Sequence, residues 1–287
     1  MVPTPGWFPA VLACAVLAAG CGAAAGSGKA APVRVAAGVY PLAFAAQRVG
    51  GDRVDVVTLT PPGVEPHDLE LDPDQVDDVQ TADLVLLVGG GLQPAVEAAA
   101  GDADGEVVDV LAAVDVVGGD PHVWLDPVRM QAVVAEVADA LAAVDGAGAA
   151  GYRARADELA GELAALDADL RAGLADCRSR LLVTTHAAFG YLAGRYDLEP
   201  EPLTGLAPEA EADPDRLAEL ADLVEGGGVT TVFTEALAPA DLAETLAAEA
   251  GVGTAVLDPI EGPPAEGDYL DAMWSDLAAL REGLGCR

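Results

Sequence analysis

Short apolar runs and helical patterns alternate along the first half of the chain. Continuous runs rich in Val and Leu are typical of strands that are buried on both faces of a parallel sheet. Apolar positions three or four residues apart indicate helices between them, one of which has Asp72 at its N-cap and Pro73 at its first position. The predicted strands are Val33–Val39, Val54–Leu59, Leu84–Val88 and Val107–Val110, and the predicted helices are Pro41–Val49 and Asp72–Thr81.

A long helical region follows these strands. From Pro127 to about Ala175 the pattern is helical, with an interruption near residues 146–148. Its second helix carries an apolar stripe opposite its charged residues, namely Leu159, Leu163, Leu166, Leu170 and Leu174. Beyond it, strands are predicted at Leu181–Thr185, Val229–Phe233 and Thr254–Leu257, and helices at Pro214–Val224, Pro239–Ala250 and Tyr269–Gly283.

The order of these elements predicts the fold class. Strands that alternate with helices form parallel sheets whose faces the helices cover. We therefore expect an α/β protein with two lobes, each a mostly parallel sheet flanked by helices. The lobes are predicted at residues 33–127 and 177–287, with the helices of residues 128–176 between them.

The N-terminal region has the features of an export signal. Trp7–Ala19 is an uncharged apolar run of thirteen residues, shorter than the ~20 residues of a membrane-spanning helix and of the size of a signal-peptide core. It leads into Leu17–Cys21 (LAAGC), which resembles a bacterial lipoprotein signal, although no Lys or Arg precedes it. We expect a signal peptide over residues 1–20, a lipid on Cys21 and a flexible tether over residues 21–32, which anchor the protein outside the cytoplasm, on the outer face of the cell membrane. The alternative is a buried N-terminal hairpin.

The cysteines fit an exported protein. Cys14 would leave with the signal and Cys21 would carry the lipid, so the mature chain keeps Cys177 and Cys286. Two remaining cysteines in an oxidising compartment most simply form one disulfide. A pair of free buried thiols is the alternative.

Charge and composition exclude several classes of partner. The chain has 14 Lys and Arg against 48 Asp and Glu, a formal net charge of −34. Nucleic acid is excluded because it requires a basic surface, and electrostatic binding to anionic lipid is disfavoured for the same reason. The chain is nevertheless not a disordered acidic tail, since 52% of its residues are hydrophobic.

Candidate metal ligands follow the ends of the predicted strands. The chain has three histidines: His67 follows the second strand, His122 precedes the helical region, and His186 ends the first strand of the second half. Two acids, Glu235 and Asp258, likewise follow the ends of the last two predicted strands. Because open α/β sheets bind ligands at the carboxyl ends of their strands, we expect these side chains to meet. Three imidazoles and one carboxylate suit tetrahedral Zn²⁺, whereas Mg²⁺ and Ca²⁺ take oxygen ligands.

Seven segments resemble, in order, the metal-binding lipoproteins of bacterial ABC importers for zinc and manganese. They are GVEPHDLEL, TADLVLLVGGGL, DPHVWLDP, THAAFGYLAGRYDL, GLAPEAEADPDRLAEL, VFTEALA and LDP. The resemblance extends from about Val33 to the C-terminus. It implies two lobes joined by a long rigid helix, here about Ala147–Gly173, with the metal in the cleft between them. It also implies a monomeric binding protein whose partner is an ABC-type metal permease.

The resemblance also implies a set of ligands. Carried over by position, His67 and His122 come from the first lobe, and His186 and Asp258 from the second. In this family, His at the third position is typical of zinc binders and Glu of manganese binders. His186 therefore favours Zn²⁺ as the transported ion, with Mn²⁺ as the second choice, in line with the preference of imidazole for zinc.

Two further acids compete for the fourth place. Glu65 is two residues from His67 in the sequence. Glu235 could either bind the metal or orient a ligating histidine. With either acid, protons compete with the metal for the imidazoles, so we expect the affinity to fall as the pH drops through the histidine range near ~6.5.

A binding protein fits the sequence better than an enzyme. Catalytic zinc keeps an open position for water, whereas a fourth protein ligand is available here. The sequence also has no H-E-x-x-H or G-x-S-x-G motif. The open alternatives are uptake of Mn²⁺ or Fe²⁺, a secreted zinc hydrolase, and a surface adhesin with a structural metal.

Overall fold

Two parallel four-stranded sheets organise the chain, which this computed structural model describes over residues 1–4, 6, 31–208, 213–237 and 240–287. Most of the predicted signal peptide, the lipidation site Cys21 and most of the predicted tether lie outside the described residues. Within the described part, no helix is both long enough and apolar enough to cross a membrane.

The first sheet has the strand order β2-β1-β3-β4, and all its neighbouring strands are parallel. Its elements are β1 (Val33–Ala37), α1 (Tyr40–Gly50), β2 (Val54–Thr58), α2 (Pro73–Thr81), β3 (Leu84–Leu87), α3 (Pro94–Ala100) and β4 (Glu106–Asp109). Helix α2 begins as predicted, because the Asp72 carboxylate accepts hydrogen bonds from the N–H groups of Asp74 and Gln75. The Gln75 side chain accepts from the N–H of Asp72 in return, which completes a capping box.

Two long helices, α4 (Pro127–Val144) and α5 (Ala149–Gly173), connect the sheets. Helix α5 has 25 residues, which makes it about 37 Å long. Its predicted leucine stripe is buried throughout. The apolar core that contains this stripe also includes strand residues of both sheets, such as Val35 of the first and Leu182 of the second. The two lobes and the helices between them therefore share one continuous apolar core.

The second sheet repeats the topology of the first. Its strand order is β6-β5-β7-β8, again with parallel neighbours. Its elements are β5 (Leu181–Thr184), α6 (Gly190–Arg195), β6 (Glu199–Pro202), α7 (Pro214–Gly226), β7 (Thr231–Thr234), α8 (Asp241–Ala250), β8 (Gly253–Val256) and α9 (Tyr269–Gly283). A separate apolar cluster lies on the other side of each sheet. The predicted fold class, two α/β lobes with parallel sheets flanked by helices, is confirmed.

A disulfide joins Cys177 to Cys286, as predicted. It links the segment after α5 to the segment after α9, with a sequence separation of 109 residues. Beside it, the N–H groups of Arg178 and Ser179 donate to the carbonyls of Gly285 and Leu284. The end of the chain is thus attached to the start of the second lobe by both a covalent bond and backbone hydrogen bonds.

Candidate metal site

Three imidazoles and one carboxylate from the two lobes meet in one group. His67 lies in a short 3₁₀ helix after β2, His122 lies just before α4, and His186 follows β5. Glu261 lies in the loop after β8. One ligand atom from each of the four residues lies within 4.8 Å of the others. The structure thus brings together all three predicted histidines, although His67 and His186 are 119 positions apart along the chain.

The Glu261 carboxylate lies at the centre of this group. Its Oε1 atom is 3.1 Å from Nε2 of His122, 3.3 Å from Nε2 of His67 and 3.8 Å from Nε2 of His186. Glu261 is only 1% exposed. Burial by itself would raise the pKa of its carboxyl group, but the hydrogen bond with His122 and the closeness of the other two histidines outweigh burial and hold the pKa well below its usual value. The group therefore contains a buried, negatively charged carboxylate.

Asp258, which we predicted as the fourth ligand, does not belong to this group. Its Oδ1 atom accepts a hydrogen bond from the N–H of Ile260 at 2.8 Å, and its own N–H donates to Asp276. The first acid after strand β8 is therefore occupied in a local turn. Glu261, three residues further along, reaches the histidines instead. It was present in the sequence as the last residue of Asp258–Glu261 (DPIE), but both the position after the strand end and the family resemblance selected the nearer acid.

A second carboxylate holds each of the two fully buried histidines. Asp120 Oδ1 accepts from the backbone N–H of His122 at 2.9 Å and lies 2.7 Å from its Nδ1. Glu235 accepts from the backbone N–H of His186 at 3.1 Å and lies 2.6 Å from its Nδ1. In both cases Nδ1–H donates to the carboxylate, which directs Nε2 toward the centre of the group as a ligand atom.

The two acids that we considered as alternatives thus lie behind the histidines. Glu235 has the supporting position that we weighed for it. Glu65 accepts a hydrogen bond from the backbone N–H of His67 at 3.2 Å and is not in the four-residue group. The sequence analysis missed Asp120, although it lies only two residues before His122. An acid at that distance can accept hydrogen bonds from both the backbone N–H and the ring Nδ1–H of the histidine.

The pair of carboxylates around each buried histidine changes its protonation. Burial by itself would lower the pKa of His186, but its hydrogen bond to Glu235 and the nearby Glu261 carboxylate outweigh burial and raise the pKa to about 10. Burial also acts to lower the pKa of His122, and the hydrogen bonds to Asp120 and Glu261 raise it above the usual value. Without a metal, the His186 imidazole is therefore protonated on both nitrogens at neutral pH, and His122 keeps its second proton to a higher pH than an ordinary histidine does.

The atoms at the centre of the group fit a metal ion. Nε2 of His67, Nε2 of His186 and Oε2 of Glu261 are buried and have no hydrogen-bond partner. Buried polar atoms without partners are rare because each one has lost its hydration. Three imidazole nitrogens and one carboxylate oxygen form a complete tetrahedral donor set for Zn²⁺, so an ion would satisfy the atoms that the protein leaves unpaired.

Comparison with known proteins gives a family match over most of the chain. The model of the ZnuA family, described as zinc-uptake complex component A, periplasmic, matches residues 35–283. The high-affinity zinc uptake system protein ZnuA of Bacillus subtilis is 30% identical over 305 aligned positions, which cover 96% of this chain and 96% of that protein. The zinc-binding lipoprotein AdcA of Streptococcus pneumoniae is 32% identical over 85% of this chain. The chain spans only 54% of that relative.

Comparison with solved structures gives the same kind of protein as the sequence comparison does. The Zn(II)-bound ZnuA-like domain of Streptococcus pneumoniae AdcA is 30% identical and superposes with a TM-score of 0.76, over 88% of this chain and 99% of that domain. The laminin-binding protein Lmb of Streptococcus agalactiae, described as bifunctional with adhesin and metal transporting activity, is 27% identical with a TM-score of 0.82, over 88% of this chain and 99% of that one. The matched family is a transport component, which confirms the interpretation as a binding protein rather than an enzyme.

Proposed function

We propose that this chain, which belongs to the ZnuA family of periplasmic components of zinc-uptake complexes, captures Zn²⁺ as its cargo and delivers it to an ABC permease. The observation that supports this proposal best is the group of His67, His122, His186 and Glu261, whose ligand atoms lie within 4.8 Å of one another. The ligands come from both lobes, so movement of one lobe relative to the other would open the group and release the ion.

The donor set favours zinc over manganese. Three of the four ligand atoms are imidazole nitrogens, which suit Zn²⁺, whereas Mn²⁺ prefers carboxylate and water. Four protein ligands also complete a tetrahedral shell and leave no open position for a reacting water. A closed shell is what a carrier needs to hold an ion without using it in a reaction.

Metal analysis of the purified protein tests this function. Elemental analysis and calorimetry should find one Zn²⁺ per chain, bound more tightly than Mn²⁺ in an equimolar competition. Removal of the metal with a chelator should lower the melting temperature but leave the protein folded, because the apolar core that supports both lobes contains none of the ligands. Preferential Mn²⁺ binding would refute the zinc assignment, and unfolding on chelation would favour an adhesin with a structural metal.

The cellular location follows in outline from the family, whose members are periplasmic. We further propose that a lipid on Cys21 anchors a monomeric protein at the outer face of the membrane. The support is the LAAGC sequence at Leu17–Cys21 and the name of the pneumococcal relative, a lipoprotein. Mass spectrometry of the membrane-bound protein should find a diacylated or triacylated cysteine at the N-terminus, and Cys21→Ser should release the protein in soluble form.

The carboxylates behind the histidines should affect zinc affinity without binding zinc. Asp120→Asn and Glu235→Gln keep the side-chain volume but weaken the hydrogen bond that fixes Nδ1–H, so each should lower the affinity about ten- to a hundredfold. Competition with a chromophoric chelator measures this change. Asp115→Asn, an exposed acid in the same lobe as Asp120, is the control and should bind zinc normally. Wild-type affinity in both test variants would show that orientation of the histidines is unimportant.

Zinc binding should release protons at neutral pH. His122 and His186 both have raised pKa values, which for His186 is about 10, and each must lose the Nε2 proton before it can bind a metal. Affinity should therefore increase with pH throughout the range from about 6.5 to 9, by roughly tenfold per pH unit for each displaced proton. This range lies above the one expected for an unperturbed histidine. Calorimetry in two buffers with different ionisation enthalpies counts the protons, and an affinity that levels off above pH 7 would contradict the raised pKa values.

A further inference from the structure

The loop that carries the fourth carboxylate has a strained backbone. We name residues Asp258–Glu261, which follow strand β8 after Leu257, the ligand arm. Ile260 in this arm has a φ of +56°, in the left-handed region that disfavours a β-branched residue by about tenfold or more. Among the described residues, Asp197 is the only other non-glycine residue with a positive φ.

The conformation of Ile260 affects the direction of the next residue in the ligand arm, Glu261. An aspartate whose side chain accepts from the backbone N–H two residues on forms an Asx turn, and Asp258 accepts from the N–H of Ile260 in this way. The third residue of this turn is Ile260, whose side chain is fully buried. The residue that follows is Glu261, so the turn determines the direction in which the fourth carboxylate points. Surrounding contacts must hold the turn, because isoleucine does not favour it.

Asp258 provides the contact that acts on the strained residue directly. Its Oδ1 atom accepts from the N–H of Ile260 at 2.8 Å. Two other elements hold the arm on either side of this bond. Asp276 of α9 accepts from the N–H of Asp258 at 2.9 Å, and the indole N–H of Trp124 donates to the carbonyl of Pro259 at 2.7 Å. Asp258 thus closes the turn, and its neighbours fix the turn in the fold.

We propose that Asp258 is a positioning residue for Glu261: by holding Ile260 in the left-handed conformation it fixes the fourth carboxylate against the three histidines, and it does not bind the metal. This inference rests on the proposed function, since it concerns a ligand of the transported ion. The absence of Asp258 from the four-residue group agrees with it. So does the engagement of its Oδ1 atom within the arm.

Two substitutions at one position separate positioning from ligation. Asp258→Ala removes the acceptor for the Ile260 N–H and should weaken zinc binding by about tenfold, the preference that the turn must overcome. Asp258→Asn keeps an Oδ1 acceptor without the charge, and its affinity should stay within about threefold of wild type. Asp222→Ala, an exposed acid on α7, is the control for truncation. Asn as weak as Ala would show that the charge is needed, and would overturn the proposal in favour of a ligand role.

A spectroscopic readout distinguishes positioning from general support of the fold. Tetrahedral Co²⁺ absorbs strongly in the visible range, and loss of one protein ligand changes the intensity of these bands. Asp258→Ala should weaken the Co²⁺ bands and Asp258→Asn should preserve them. A lower melting temperature of the metal-free Ala variant, with wild-type Co²⁺ bands and zinc affinity, would mean that Asp258 only stabilises the fold, which also overturns the proposal.

A second substitution should compensate for the first. Glycine adopts a positive φ without steric penalty, so Ile260→Gly in the Asp258→Ala background should recover most of the lost affinity. If the cavity left by the buried side chain prevents folding of this double variant, the comparison of Ala with Asn decides the question alone. Failure of the wild-type chain to bind zinc would refute the proposed function, whereas wild-type binding with an unaffected Ala variant would refute only the role of Asp258.

Discussion

Glu261→Gln should weaken zinc binding by at least a hundredfold. Complete zinc sites supply ~10–16 kcal/mol from four ligands, so one ligand contributes about 3 kcal/mol, which is roughly a hundredfold in affinity. Glu261 is 1% exposed and its Oε1 atom lies within 3.8 Å of all three histidine Nε2 atoms. Replacing the carboxylate by an amide removes the only anionic group among the four proposed ligands, in a buried site that must compensate a divalent charge.

The design of this experiment isolates the fourth ligand. Asp120 and Glu235 remain in the variant and still orient His122 and His186, so the loss does not come from misplaced imidazoles. Glu266→Gln, an exposed acid in the same loop, makes the same chemical change outside the site and should bind zinc as the wild type does. Competition with a chromophoric chelator at fixed pH measures both variants. A loss below threefold at Glu261, with a large loss in Asp258→Asn, would restore the sequence-based choice of ligand.

The sequence predicted the strands and helices that have an apolar pattern and missed those that lack one. Strand β6, Glu199–Pro202, has the sequence Glu-Pro-Glu-Pro, which is the reverse of the apolar pattern of a buried strand. It is tolerated because β6 is an edge strand of its sheet, where proline need not donate to a neighbour on the open side. Helices α3 and α6 have only 7 and 6 residues, too few to show a helical period.

The histidines of the site could be predicted because topology places them. The carboxyl ends of parallel strands meet at one edge of a sheet, and His67 and His186 follow such ends, while His122 lies just before α4. The fourth carboxylate required more. Asp258 and Glu261 are both acids and only three residues apart, and in the structure it is Glu261, which follows the positive φ of Ile260, that lies with the histidines. No local pattern predicts this φ, because isoleucine is the residue least expected to adopt it.

Loss of the disulfide should destabilise the protein far more than it changes the site. In the chain-entropy model, a bond that closes a loop of 109 residues stabilises the folded state by about 4–5 kcal/mol. The double variant Cys177→Ser/Cys286→Ser should therefore melt roughly 8–20 °C below the wild type, since 1 kcal/mol corresponds to ~2–4 °C in a large domain. Calorimetry of the metal-free proteins measures the shift, and reduced wild-type protein should show a shift of the same size.

Zinc affinity in this double variant tests where the disulfide acts. The entropy effect belongs to the unfolded chain, so the native site should keep its affinity within about threefold. The structure gives a reason to check this, because α9 carries Asp276 against the ligand arm and ends three residues before Cys286. However, Asp276 lies ten residues before Cys286, and the backbone hydrogen bonds from Arg178 and Ser179 still attach the end of α9. Normal zinc affinity with a lower melting temperature would place the effect in the unfolded state. A parallel loss of both would mean that the disulfide also holds α9, and with it the ligand arm, in place.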